Sequence, residues 1–200
     1  MRKESDVRAL VVYESMFGNT HVVADHIGAG LAAAFEVTVT PVEGADPAAV
    51  AGADLLVVGG PTHAHGMTSA PSRRSAAEMA AKDEHLGLDP DAEGPGLRDW
   101  FHTLGPSDSS LAAAFDTRAD APALFTGRAS KGIARRLRHD GYRLVTEPES
   151  FLVDKDNRLL GGEEERARNW GAHLAELAAA LAMPEQSSGG GDTPPPTPGR

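Results

Sequence analysis

Two near-continuous apolar runs, "VRALVVY" (7–13) and "DLLVVGG" (54–60), each end in turn residues. Strands buried on both faces read this way, and parallel sheets produce them. Between them Val23, Ile27 and Leu31 recur every four residues, which predicts a helix from about Thr20 to Ala34 with those side chains on one face. "EVTVTPV" alternates as a second strand should, and "DPAAVAGAD" places Asp46 as a cap and Pro47 at the first position of a short helix. Strand–helix–strand–helix–strand at the start of the chain is the sign of a doubly wound parallel sheet.

Further on, a helix is expected near Ser72, a polar Gly/Pro-rich loop or insertion over 82–96, and an amphipathic helix over 97–104. "LAAAFDTR" (111–118) fits a fourth strand, although its alanines also suit a helix. In 129–141, Ile133 and Leu137 lie one turn apart and Gly141 closes the helix. "YRLV" and "SFLV" supply a fifth strand, with an extension or small hairpin at "DKDNR". A last helix, about Glu163 to Ala182, carries Trp170, Leu174, Leu177 and Leu181 on one side. The expected division is a flexible N-terminus (1–6), one domain over 7–182 with an insertion at about 82–105, and a disordered Pro/Gly-rich tail over 183–200.

Composition narrows the chemistry. The chain of 200 residues has 40% hydrophobic and 24% charged positions, enough for one α/β domain with a sizeable core. It has no cysteine, which excludes disulfides, thiolate metal sites and cysteine nucleophiles. The formal charge of −10 argues against nucleic acid or an anionic membrane as partner, and an acidic surface can steer a basic protein. No stretch approaches membrane-spanning length and no secretory h-region is visible, so a cytoplasmic location is expected, as monomer or homodimer.

"ESMFGNTH" (14–21) carries the candidate chemistry. A turn from a buried strand into a helix offers unpaired backbone N–H groups and the positive end of the helix dipole, which bind phosphate without a basic side chain. Ser15, Asn19 and Thr20 add donors, and Gly18 lets the backbone approach. The spacing fits neither a Walker loop nor the dinucleotide fingerprint, and in "GRASKG" (127–132) the lysine precedes the final glycine, so that stretch is set aside.

"VVYESMFGNTHVVADHI" (11–27) resembles the flavodoxin signature: Val11, Val12 and Tyr13, then Ser15, Gly18, Thr20, Ala24 and Ile27. The resemblance implies a three-layer, doubly wound five-stranded parallel sheet of order 2-1-3-4-5, with the phosphate of FMN held by Ser15, Met16, Phe17, Gly18, Asn19 and Thr20. Ligands in such sheets sit outside the carboxyl ends of the strands, where strand order reverses. The loop "GGPTHAHGMTSAP" (59–71) looks like the second FMN loop of flavodoxin-fold quinone reductases. That likeness places Pro61, Thr62, His63, Ala64, His65, Gly66 and Met67 along the flavin ring. The loop after strand four adds Thr117 and Arg118 on the pyrimidine side.

His63 and His65 form an H-x-H pair that could ligate zinc, but no third ligand of suitable spacing stands out. They are otherwise loop histidines, or weak candidates for proton transfer at the flavin. The stacking tyrosine and tryptophan usual in flavodoxins are missing at their places, leaving Phe125 as the aromatic of the third loop. Arg118 or Arg128 near the flavin would stabilise its anionic reduced form; either reads equally as a solvated surface charge, which is the preferred reading for Arg128. Trp100 and Phe101 either fold over the flavin or pack the insertion onto the core. "RRLRH" (135–139) reads as an exposed helix face or a docking patch, and Met67 as a flavin neighbour or core filler.

Three functions follow. The first is an FMN-binding electron carrier acting between protein or small-molecule partners. The second is an FMN-dependent NAD(P)H:quinone oxidoreductase. The third is a flavodoxin-fold interaction module without FMN.

Overall fold

The computed structural model describes residues 7–63, 66–82, 86–107 and 110–182. The expected flexible start and disordered tail lie outside these. β1 (Arg8–Tyr13) is apolar from Ala9 onward and buried from there to its end, so it must be covered on both faces. It runs parallel to β2 (Glu36–Pro41), with Val11 opposite Val39, and to β3 (Leu55–His63), with Val11 opposite Val57. β3 turns back antiparallel as β4 (Gly66–Met67) and runs parallel to β5 (Leu111–Ala119) on its other side. The "LAAAFDTR" segment is therefore a strand. Its alanines bury without bulk between two helical layers.

The final strand is split. β6 (Arg143–Leu144) pairs with the start of β5 and β7 (Glu149–Val153) with its end, both parallel. Between them stands Pro148, which has no N–H to give to a ladder. With the short β4 set aside and β6 and β7 counted as one strand, the order is the expected 2-1-3-4-5. The small hairpin after β7 is present: Val153 bridges Leu159, and the Leu160 N–H donates to the Leu152 carbonyl at 3.0 Å.

Period-two alternation in β1 sends its side chains to two separate cores. Val11 and Tyr13 face α1 (Asn19–Leu31) and α7 (Glu163–Ala182), together with Ile27, Phe115, Phe151 and Leu174. Leu10 and Val12 face α2 (Pro47–Ala51), α4 (Leu97–Thr103) and α6 (Ala129–His139), with Leu56, Val58, Ile133 and Leu137. Each such side chain buried in full is worth about 1.5–3 kcal/mol. α1 has its predicted face, with Val23, Ile27 and Leu31 buried, and ends at Leu31 rather than Ala34.

α7 differs from expectation. Its buried face is Ala167, Gly171, Leu174, Ala175 and Ala178, while Trp170, Leu177 and Leu181 lie half-buried at its flanks. The small residues face inward because α7 lies close against α1: a methyl group at Gly30 would overlap the Arg168 carbonyl oxygen, and one at Gly171 the Ile27 carbonyl oxygen.

α3 (Ala70–Ala80) starts two residues before the expected Ser72. Ser69 caps it, accepting from the Ser72 N–H while the Ser72 hydroxyl accepts from the Ser69 N–H. The remaining α5 (Ala123–Thr126) is a single turn. Within the insertion, Trp100 and Phe101 are 6% and 2% exposed and complete the second core, which decides for packing rather than flavin cover. No helix among the described residues is long and apolar enough to cross a membrane.

Candidate functional site

The loop leaving β1 is built to present backbone. Gly18, at φ 87°, enters the left-handed region just before α1, and its N–H donates to Ser15 Oγ at 3.1 Å. No side chain caps α1 and its first turn holds no acidic residue, so the N–H groups there are left for a ligand. Thr20 is buried, and its hydroxyl lies 2.7 Å from that of Thr117 at the end of β5. Two loops distant in sequence are thus tied at one point.

A cleft of about 290 Å³ opens where β1, β3, β5 and β7 end. Of the expected residues it gathers Met16, Phe17, Asn19, Thr20, Pro61, Thr62, His63, Thr117 and Arg118. Ser15 sits behind it, 2% exposed. Gly66 and Met67 stand on the far side of the β3–β4 hairpin, where they line another groove. Ala64 and His65 lie outside the described residues.

Burial lowers the His63 pKa below its ordinary value, so the imidazole is neutral in the cleft. Arg118 turns Nη1 back to the Ala121 carbonyl at 2.6 Å, which folds its own loop. Its buried Nε has no hydrogen-bond partner, and a buried donor left open is unfavourable unless something enters to accept from it.

Arg128 departs from the reading as a solvated charge. It is half-buried, donating to Ser150 Oγ at 3.0 Å and to the Pro148 carbonyl at 2.6 Å, and so braces the break between β6 and β7. Phe125 is 70% exposed beside Leu124, which is 87% exposed. Neither is packed against the cleft.

Sequence reasoning missed three features. Asn157, at φ 57° in the hairpin after β7, lines the cleft, and its carbonyl accepts from Asn19 Nδ2 at 2.8 Å. The run "DKDN" is a turn signal, yet nothing local says which loop it meets. Glu14, 6% exposed, accepts from the Leu97 N–H at 2.9 Å and from the Thr68 hydroxyl. One carboxylate thereby caps α4 and holds the loop after β4. Finally, His21, Asp89 and Asp91 bring ligating atoms within 4.8 Å of one another beside the phosphate loop. His21 also stacks on Tyr13, whose phenol is pushed well above its ordinary pKa by burial and by the Asp91 carboxylate it donates to.

The family model described as Flavodoxin matches residues 11–99. A flavodoxin from the domain Archaea superposes with a TM-score of 0.59 at 19% identity, covering 86% of this chain and 99% of its own. Flavodoxin 2 from Bacillus cereus gives 0.59 at 24% identity, with 85% and 99% covered. The flavodoxin, WrbA-like protein from Agrobacterium tumefaciens gives 0.55 at 19%, with 88% and 99% covered. No curated protein sequence matches the chain.

Proposed function

We propose that the chain binds FMN and works as an electron carrier, since residues 11–99, which carry both candidate loops, match the flavodoxin family model. The observation that carries this reading is the uncapped start of α1 behind a left-handed Gly18, opening on a cleft that also holds the unpaired Arg118 Nε. The donor set fits a phosphomonoester joined to a ring with carbonyl oxygens. Free N–H groups and the Thr20 hydroxyl suit the first, and Arg118 the second.

When bound, FMN supplies the one- and two-electron chemistry. The chain's own part is to hold and orient it. Ser15, Gly18, Asn19 and Thr20 would hold the phosphate. Pro61 and Thr62 form one wall of the cleft and Thr117 and Arg118 another. His63, neutral through burial, offers one ring N–H and one lone pair to whatever lies beside it. Its acceptor and donor would be redox partners, protein or small molecule.

The second reading, an FMN-dependent NAD(P)H:quinone oxidoreductase, is favoured by one observation. No tyrosine or tryptophan lines the cleft among the described residues, so neither ring would cover a face of the flavin. Two measurements on FMN-loaded protein separate the readings. Potentiometric titration with resolved one-electron steps, and no NAD(P)H oxidation, supports the carrier. Fast quinone-dependent NAD(P)H oxidation supports the enzyme. Protein that is colourless and takes up no added FMN by calorimetry overturns both.

A further inference from the structure

A second concavity, of about 890 Å³, lies across the β3–β4 hairpin from the cleft. Met67, Leu124 and Gly132 give it apolar surface, while Arg98, Arg128, Lys131 and Arg135 line it with positive charge. No acidic side chain lines it among the described residues. That is a local inversion in a chain of net charge −10.

The partners of these cations set them apart. Arg73, Arg136, Arg138, Lys155 and Arg166 each approach a carboxylate within salt-bridge distance. Arg98 instead donates to the carbonyls of Met67 and Thr68, and Arg128 to Ser150 Oγ and the Pro148 carbonyl, so neither charge is neutralised. Lys131 and Arg135 are exposed and have no hydrogen bond or ion pair among the described residues. Four like charges gathered without counter-charge repel one another, and an anionic ligand relieves that repulsion.

We infer that this groove binds a nucleotide carrying at least two separated phosphate groups. Three features fix the class. Arg128, just before α6, and Arg135 lie about two helical turns apart, so the positive charge is spread along the groove rather than gathered at one point. Met67 and the 87%-exposed Leu124 give an aromatic base an apolar surface to lie on. The volume falls within the roughly 300–1,000 Å³ of small-molecule sites, which favours a nucleotide over an acidic protein.

The groove also shares a wall with the cleft. Thr62 and His63 on the cleft side pair across the hairpin with Met67 and Gly66 on the groove side. On the oxidoreductase reading, and only on it, this position selects the redox member of the class, a nicotinamide dinucleotide phosphate. Binding itself does not depend on flavin.

Calorimetric titration of NADPH and NADH into flavin-free and FMN-treated protein tests the inference. NADPH is expected to bind both forms, about tenfold or more tighter than NADH, which lacks the third phosphate, and more weakly as salt is raised. Lys131→Glu with Arg135→Glu, both at exposed positions, is expected to weaken NADPH at least about tenfold while leaving FMN uptake unchanged. No heat with millimolar NADPH, equal affinity for NADH, or an unchanged double variant overturns the inference. Colourless protein that still binds NADPH leaves it standing and removes the flavin reading; yellow protein that ignores NADPH does the reverse.

Discussion

The hydroxyls of Thr20 and Thr117 lie 2.7 Å apart in the buried floor of the cleft, although 97 residues separate them. One bond therefore couples the phosphate loop to the end of β5. Thr117→Val should leave the Thr20 hydroxyl without its partner, destabilise the fold by about 1 kcal/mol, and weaken FMN binding. Urea unfolding and flavin fluorescence titration check the two effects, and an unchanged midpoint and affinity would show that the contact is idle.

Thr20→Asp sets a carboxylate where the phosphate is expected. FMN uptake should disappear while the circular dichroism spectrum stays native. A variant purified yellow, with wild-type affinity, refutes the assignment of this loop.

Removing the Glu14 side chain should be more damaging than its place in a loop suggests. Glu14→Ala strips the cap from the Leu97 N–H and the partner from the Thr68 hydroxyl. Hydrogen bonds to a buried charge are worth about 1.5–3 kcal/mol, so a loss of that order is expected in chemical denaturation. A change in Trp100 fluorescence should accompany it, because α4 carries that ring into the core.

Gly30→Ala pits propensity against packing. Alanine favours a helix over glycine by about 1 kcal/mol, but here its methyl meets the Arg168 carbonyl oxygen on α7. The expected result is a lower melting temperature, equivalent to about 1–3 kcal/mol for overpacking. A raised melting temperature would mean that the two helices part without strain.

Acid sensitivity should trace to Glu163. Burial raises its pKa, but the Arg166 guanidinium and the Leu152 N–H more than offset this, holding it below the ordinary value of 4.5. Between the folded and unfolded values the unfolded chain binds more protons, so stability rises with pH in that window. The contribution is complete above about pH 4.5 and is lost as pH falls through the folded value. Glu163→Gln should flatten stability against pH across that window; an unaltered profile would assign the acid transition elsewhere.

What could be read from the chain alone follows the range of each interaction. The strands announced themselves because Leu10, Val12, Leu56 and Val58 bury on a period that neighbouring residues display. The start of α2 was legible because Asp46 and Pro47 act within one turn. Glu14 and Leu97, 83 residues apart, leave no local trace of their bond. The same is true of Asn19 and Asn157, separated by 138 residues. α7 misled for another reason: its leucines mark an apolar stripe, but closeness to α1 selects the smallest side chains for the contact. Arg128 shows the limit of charge reading, since its role comes from carbonyl and hydroxyl oxygens that become available only where Pro148 interrupts a strand.

That interruption also bears on how the protein keeps to itself. A sheet margin with a long free row of amides invites another chain to add on, the usual beginning of fibrils. Here the margin offers only two residues in β6, a proline that cannot donate, and then β7, over which residues 158–160 fold back. The outermost strand is thereby denied as a template, and concentrated solutions should resist edge-to-edge polymerisation along that side.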